Sequence, residues 1–163
     1  MKRSTILAGT FFAAVAANAV AAQPAKATAA GPDFKALLKQ TAAAWQTLDP
    51  AKAAPFYAKD ATLAFFDIAP LKYMGWSDYQ AGSVKTFAGF SSLKVDFNDD
   101  MGIHRAGNSA WGTGTGRAEV VNKDGSKAPM DFRWTTIWEK RGNDWLIVHE
   151  HFSIPPPDLS PPK

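Results

Sequence analysis

Residues of the first third of the chain recur at helical spacing. After Pro32 and Asp33, one face of the predicted helix carries the mostly apolar positions Phe34, Leu37, Leu38, Thr41, Trp45 and Leu48. Because residues three and four apart lie on the same side of a helix, this stripe predicts an amphipathic helix. Asp49 and Pro50 are typical of a helix cap and a first helical position. They predict a second helix, which Pro55 limits to a turn or two.

A strand and a third helix are predicted next. Residues 62–68, TLAFFDI, are rich in β formers and precede Pro70, which favours a strand. In the segment that follows, Ser77 is a suitable helix cap. The third helix is expected to bury Tyr79, Val84, Phe87 and Phe90.

From residue 92 onward the pattern changes to period two. Leu93, Val95 and Phe97 alternate with polar residues. Further strands are predicted at 109–121, 130–140 and 145–153, because short turn sequences separate these segments. The pattern therefore predicts an α+β domain, with three N-terminal helices packed on one face of a curved, mainly antiparallel sheet.

The ends of the chain have a different composition. Residues 1–22 combine a positive start, an apolar centre and small residues at Val20 and Ala22, which predicts a secretory signal peptide. Residues 23–32 are predicted to be a flexible linker, 33–153 the folded domain, and 154–163 a proline-rich tail. We therefore expect a periplasmic or secreted protein, without stable membrane anchoring once the signal is cleaved.

Charge and cysteine content narrow the classes of function. Removing Lys2 and Arg3 from the 18 basic residues leaves 16 against 15 acidic residues. Without a basic cluster, nucleic acid is not an expected partner. The absence of cysteine excludes disulfides, thiol nucleophiles and thiolate metal sites. The segment GTGTG lies inside a predicted strand, so it is not a phosphate-binding loop, and no cofactor is predicted.

Three segments and the order of elements resemble the NTF2-like superfamily, in particular its SnoaL-like and calcium/calmodulin-dependent protein kinase association-domain branches. The segments are AAAWQTLDPAKAAPFYAKDATL, FFDIAPLKYMGWSDY and TTIWEKRGNDWLIVHEHFS. The resemblance covers roughly residues 33–153. It implies a cone-shaped fold with a cavity between the helices and the concave face of the sheet. Members of the superfamily commonly dimerise, so a homodimer is expected here. They include steroid isomerases, polyketide cyclases, dehydratases, transport factors and association modules, so the fold does not fix an activity.

The resemblance also assigns cavity positions. It places Phe152 where the association domains have a pocket arginine, so Phe152 and Glu150 are expected to face the cavity. Gly116 and Thr136 stand at other arginine positions, and Tyr79 stands in place of a pocket histidine. The cavity is therefore expected to be apolar and aromatic, for a small neutral ligand. The ligand-binding candidates are Trp45, Tyr57, Asp67, Tyr79, Gly116, Thr136, Trp138, Glu150 and Phe152.

Two acidic residues are candidates for catalysis. Asp67 corresponds to a glutamate of the family and could act as a general base, although the steroid isomerase pattern places Phe65 at the position of its base. Glu150 lies within an apolar strand, where burial would raise its pKa and allow proton transfer. The favoured alternative is an ion pair between Glu150 and Arg133 or Arg117. For Asp67 the alternative is a role in ordering the loop after the strand.

The histidines of the last strand give a weak metal alternative. His149 and His151 alternate with Glu150, so they are expected on the opposite face of the strand from the carboxylate. No metal is therefore predicted; with His104 as a third ligand, the pair would form a site only if the fold brought that residue close.

Three functions remain open from the sequence. The first is an exported domain that binds a small neutral molecule. The second is a cofactor-independent isomerase, cyclase or dehydratase that uses Asp67 or Glu150. The third is a dimeric association module, which predicts a cavity filled by Trp and Phe. Likewise, the row Gly112, Gly114 and Gly116 either leaves room for a ligand or permits close packing.

Overall fold

The computed structural model describes residues 31–156. The predicted signal peptide, most of the linker and the end of the proline-rich tail lie outside these residues. Helix α1 spans Phe34–Gln46, and the Asp33 carboxylate accepts a hydrogen bond from the Ala36 backbone N–H at 3.0 Å. Helix α2 spans Pro50–Ala53 behind an Asp49 cap, and a 3-10 turn, Ala54–Phe56, follows it. The predicted starts of α1 and α2 are confirmed.

Helix α3 spans Gly75–Phe87 and begins two residues before the predicted cap Ser77. Gly75 has a φ of +71°, and its N–H donates to the Leu63 carbonyl at 2.6 Å. This conformation, which glycine adopts readily, connects the helix directly to the strand before it. The expected burial of Val84 is wrong, since 54% of it is exposed. The buried stripe of the helix instead contains Trp76, Tyr79 and Ser83.

Within residues 31–156, seven strands form one sheet. They are β1 (Ala64–Phe66), β2 (Tyr73–Met74), β3 (Phe90–Phe97), β4 (Gly102–Ala106), β5 (Ser109–Asn122), β6 (Lys127–Arg141) and β7 (Asp144–Ser153). The pattern along the chain did not predict β2 or β4. The order across the sheet is β2-β1-β7-β6-β5-β3, and β4 pairs with the first part of β5. All pairs are antiparallel except β1 with β7. The α+β prediction is confirmed.

A β-bulge in β7 changes the expected faces of that strand. Trp138 is opposite Ile147, whereas Thr136 is opposite Glu150, so β7 contains one extra residue between these pairs. Since residues opposite each other in an antiparallel pair share a face, Ile147 lies on the inner face with Glu150. Strict alternation along β7 would place Ile147 on the outer face with His149, and the bulge moves it to the inner face.

Close packing accounts for the glycine row of β5. A Cβ atom on Gly116 would lie 2.4 Å from Cζ of Phe132 and 2.3 Å from the Asp96 carbonyl oxygen. One on Gly112 would lie 3.0 Å from the Trp138 ring. Gly112 and Gly116 therefore let aromatic side chains of β6 pack closely against β5, and they do not leave open space there.

None of the helices within residues 31–156 is long and apolar enough to cross a membrane.

Candidate functional site

A cavity of about 310 Å³ lies between α1, α3, the segment after β1 and the inner face of the sheet. Most of its wall is apolar, and Asp67 and Glu150 are the acidic residues that line it. The remaining lining residues are Ala42, Trp45, Ile68, Ala69, Tyr79, Ser83, Thr86, Phe87, Phe90, Leu93, Val95, Ala118, Val120, Met130, Trp134 and Phe152. The cavity thus has an acidic side and a larger apolar body.

The Glu150 carboxyl group lies at the centre of a buried hydrogen-bond network. Tyr79 donates to its Oε1 at 2.5 Å, and Tyr57 donates to its Oε2 at 2.7 Å. The indole N–H of Trp134 donates to Oε2 at 3.1 Å. Behind this group, the indole N–H of Trp45 donates to the Tyr57 hydroxyl at 2.8 Å. Glu150 itself is 1% exposed, so these neutral donors replace water around the carboxyl group.

Burial controls the ionisation of this group. It raises the pKa of Glu150 from 4.5 to about 7, while the hydrogen bonds from Tyr79 and Tyr57 act in the opposite direction. The pKa values of both tyrosines are raised well above 10.0, first by burial and then by the nearby Glu150 charge. The tyrosines therefore stay protonated, and Glu150 is the group of the network that changes charge near neutral pH.

Asp67 is the second carboxyl group at the cavity. It lies just after β1, and its Oδ1 accepts the Ile68 backbone N–H at 2.7 Å. Burial raises the pKa of Asp67, and hydrogen bonding by Ile68 and Tyr79 lowers it. The Tyr79 hydroxyl donates its proton to Glu150 and also lies near Asp67. The Asp67 charge contributes to the raised pKa of Glu150, so the two carboxyl groups lie close enough to interact.

The structure brings together only some of the predicted ligand-binding residues. Trp45, Asp67, Tyr79, Glu150 and Phe152 line the cavity. Tyr57 lies behind Glu150 and reaches the site through its hydrogen bond.

Gly116, Thr136 and Trp138 lie outside the cavity wall. The Phe132 ring covers Gly116, and both Thr136 and Trp138 are fully buried in the core of the sheet's inner face. The expectation that these three residues contact a ligand in this cavity is wrong, because aromatic packing fills the part of the fold where they lie.

The favoured ion pair of Glu150 is wrong. Arg117 instead pairs with Asp131 at 3.0 Å on the exposed side of the sheet, and Arg133 is exposed as well. Inward-facing Glu150 meets only neutral hydrogen-bond donors.

The histidines are on the outer face, as predicted. Nδ1 of His149 lies 2.7 Å from the Ala64 carbonyl oxygen, and Phe66 packs edge-on against both His149 and His151. His104 is opposite Trp111 on β5, so two strands separate it from the pair. Among the described residues, no group of three His, Cys, Asp or Glu side chains could hold a metal ion.

Several wall residues were not singled out by the sequence. Ser83 lies one turn after Tyr79 and donates to its carbonyl at 2.9 Å. The helical spacing of Tyr79 and Ser83 was the available signal. Met130 and Ala118 face each other across β5 and β6, and their contribution depends on the register of the sheet.

Comparisons with known proteins agree with the fold described above. The family model of the SnoaL-like domain matches residues 34–157. A nuclear transport factor 2 (NTF2-like) superfamily protein from Salmonella enterica has a TM-score of 0.71 at 21% identity, covering 77% of this chain and 91% of that one. A candidate calcium/calmodulin-dependent protein kinase II association domain from Xanthomonas campestris has a TM-score of 0.67 at 23% identity, covering 82% and 94%.

A candidate scytalone dehydratase from Novosphingobium aromaticivorans also matches, with a TM-score of 0.66 at 9% identity over 75% of this chain and 81% of that one. A search of curated proteins found no match. Since the family model covers most of the chain, the protein belongs to the SnoaL-like domain family, and its fold is the NTF2-like fold.

Glu150 should make the free energy of unfolding depend on pH. The pKa of Glu150 is higher in the folded state, so the folded chain binds more protons than the unfolded chain between about pH 4.5 and about 7. Its contribution is therefore fully present below pH 4.5 and is lost as pH rises through 7, by on the order of 3 kcal/mol. Urea unfolding at a series of pH values measures this loss.

The Glu150→Gln variant should not show this decrease, because the amide does not titrate. Glu119→Gln, on the exposed face of β5, is the matched control and should retain the decrease. An unchanged slope in Glu150→Gln would contradict the assignment of the pH dependence to Glu150.

Proposed function

We propose that this SnoaL-like domain binds a small, neutral, largely apolar molecule in the cavity. The observation that carries the proposal is a 310 Å³ space walled by apolar side chains in an otherwise densely packed aromatic core. A space of this size is large enough for a compact ring compound, and burial of apolar ligand surface supplies the binding free energy.

The charges of the wall favour a neutral occupant over an anion. Among residues 31–156, no lysine, arginine or histidine lines the cavity, while two carboxyl groups do. An anionic ligand would lose its hydration and meet like charge, without a basic partner in return.

A second candidate function is cofactor-independent acid–base catalysis. It is favoured by the coupled carboxyl groups, whose pKa values are both raised by burial. Glu150 already accepts three hydrogen bonds, which leaves Asp67 as the better placed base. In this mechanism Asp67 takes a proton from the ligand, and Glu150 is the neighbouring acid whose pKa the Asp67 charge raises.

The names of two structural relatives agree with such chemistry. The candidate scytalone dehydratase is one, and a candidate dehydratase of the NTF2-like family from Streptomyces avermitilis is the other. The association-only alternative, by contrast, required a cavity filled by Trp and Phe, and its support is reduced by the open space.

Binding is tested with tetralin, an apolar bicyclic compound. We expect tetralin to raise the melting temperature, because a ligand that binds only the folded state stabilises it. Ala118→Phe should abolish this shift, since residue 118 lines the cavity and an added ring would occupy the space. Thr113→Phe, on the exposed face of the same strand, is the control. An equal shift in Ala118→Phe would place the binding elsewhere.

Base catalysis is tested with nitrobenzisoxazole. A carboxylate base removes its ring C–H proton, the N–O bond breaks and a coloured phenolate forms, so no cofactor is needed. We expect the rate to rise with pH as Asp67 ionises, with a midpoint above 3.8 because burial raises its pKa. Asp67→Asn should lower the rate by about a hundredfold.

The exposed Asp96, which pairs with Lys94, provides the control variant Asp96→Asn. If Asp67→Asn keeps the full rate while Glu150→Gln loses it, the roles of the two acids are reversed. If all variants react like the wild type, the catalytic candidate is discarded.

We also propose that the chain is exported to the periplasm or secreted, and that the mature protein is a homodimer. The resemblance to a superfamily whose members commonly dimerise supports the dimer. Native mass spectrometry of protein from the producing cells tests both points. We expect a chain of 141 residues that starts at Gln23, at twice its monomer mass. An uncleaved chain contradicts export, and a monomer contradicts the dimer.

A further inference from the structure

Apart from its carboxyl groups, five side chains of the cavity wall carry a polar hydrogen, and the protein uses each of them internally. On the acidic side, Tyr79 and Trp134 donate to Glu150, and Trp45 donates to Tyr57. None of these groups can turn towards a ligand without leaving a buried acceptor unsatisfied, which is unfavourable.

The two remaining hydroxyl groups are engaged as well. Ser83 donates to the Tyr79 carbonyl at 2.9 Å, and Thr86 donates to the Gly82 carbonyl at 3.2 Å. Both bonds run back along α3, where helical residues four apart bring a hydroxyl to a carbonyl. The hydroxyl oxygens remain available to accept a hydrogen bond, but their protons do not.

The polar side chains of the wall therefore offer acceptors. Asp67 has one oxygen held by the Ile68 N–H, and a carboxylate can accept further hydrogen bonds. The Asp67 side chain is partly buried in the cavity wall, so water solvates its carboxylate incompletely. A ligand O–H group placed against Asp67 would supply a missing donor, whereas a carbonyl or ether oxygen would face an acceptor.

We infer that the cavity selects an apolar molecule that carries a hydroxyl group, an alcohol or a phenol, with the hydroxyl directed at Asp67 and the ring body against the apolar wall. This inference rests on the proposed function, because it names the ligand class of the same cavity. A neutral hydroxyl is favoured over an ammonium group, since a cation must lose more hydration to enter an apolar space.

The inference also orients the ligand. Part of the apolar wall belongs to the sheet and is formed by Leu93, Val95, Val120, Met130 and Phe152. Asp67 belongs to the segment after β1. A hydroxyl at one end of a fused ring satisfies both surfaces at once.

The test uses four probes with one ring system: tetralin, α-tetralol, α-tetralone and α-aminotetralin. Calorimetry at neutral pH measures their affinities for the full chain. We expect α-tetralol to bind about tenfold more tightly than α-tetralone, since the ketone leaves Asp67 without a donor. In Asp67→Asn the amide donates hydrogen bonds, so the preference should disappear or reverse. Asp96→Asn should preserve it.

The outcomes separate this inference from the proposed function. If tetralin binds and α-tetralone equals or exceeds α-tetralol, the cavity binds apolar molecules but the hydroxyl preference is wrong. If α-aminotetralin binds most tightly, the neutral class is wrong. If none of the four binds, the proposed function itself fails, and the inference fails with it.

Discussion

The buried carboxyl group of Glu150 is the constraint on which the organisation of the domain depends. A carboxyl group removed from water needs hydrogen-bond partners, and here three parts of the chain provide them. Tyr57 follows the 3-10 turn, Tyr79 belongs to α3 and Trp134 belongs to β6. The network therefore ties the helical layer to the sheet at a polar point, while aromatic packing around it supplies the bulk of the apolar burial.

Side-chain size along β5 explains why one part of the space between the helices and the sheet is packed and another part is open. Where β5 carries glycine, the rings of β6 lie directly on the strand and close the space. Further along β5, Ala118 and Val120 replace the glycines and line the open cavity. Local side-chain size along one strand thus separates a packed part of the inner face from an open part.

The sequence predicted the elements with strong periodicity and failed where geometry is set by pairing. The stripe from Phe34 to Trp45 and the long alternating strands were identified, because their burial is encoded locally. Strands β2 and β4 are short and depend on their partners. The bulge in β7 has no marker in the sequence, yet it decides the face of Ile147.

The candidate site shows the same division. Alternation, together with the family resemblance, placed Glu150 and Phe152 towards the cavity and the histidines away from it, in agreement with the structure. The partners of Glu150 were not predictable, because Tyr57 and Tyr79 lie 93 and 71 residues away along the chain. The glycine row was compatible with two outcomes, and only the rings opposite each glycine distinguish them.

The position of β7 has a consequence for how the domain assembles. This last strand lies inside the sheet, between β1 and β6, and it carries Glu150. The pairing of Phe65 with Glu150 joins one of the first structured segments to the final one. A growing chain therefore cannot complete its sheet until its last strand is available, and such long-range pairing is slow to form. Until then Tyr57 and Tyr79 lack their acceptor, so the polar centre of the domain cannot form before β7 is in place.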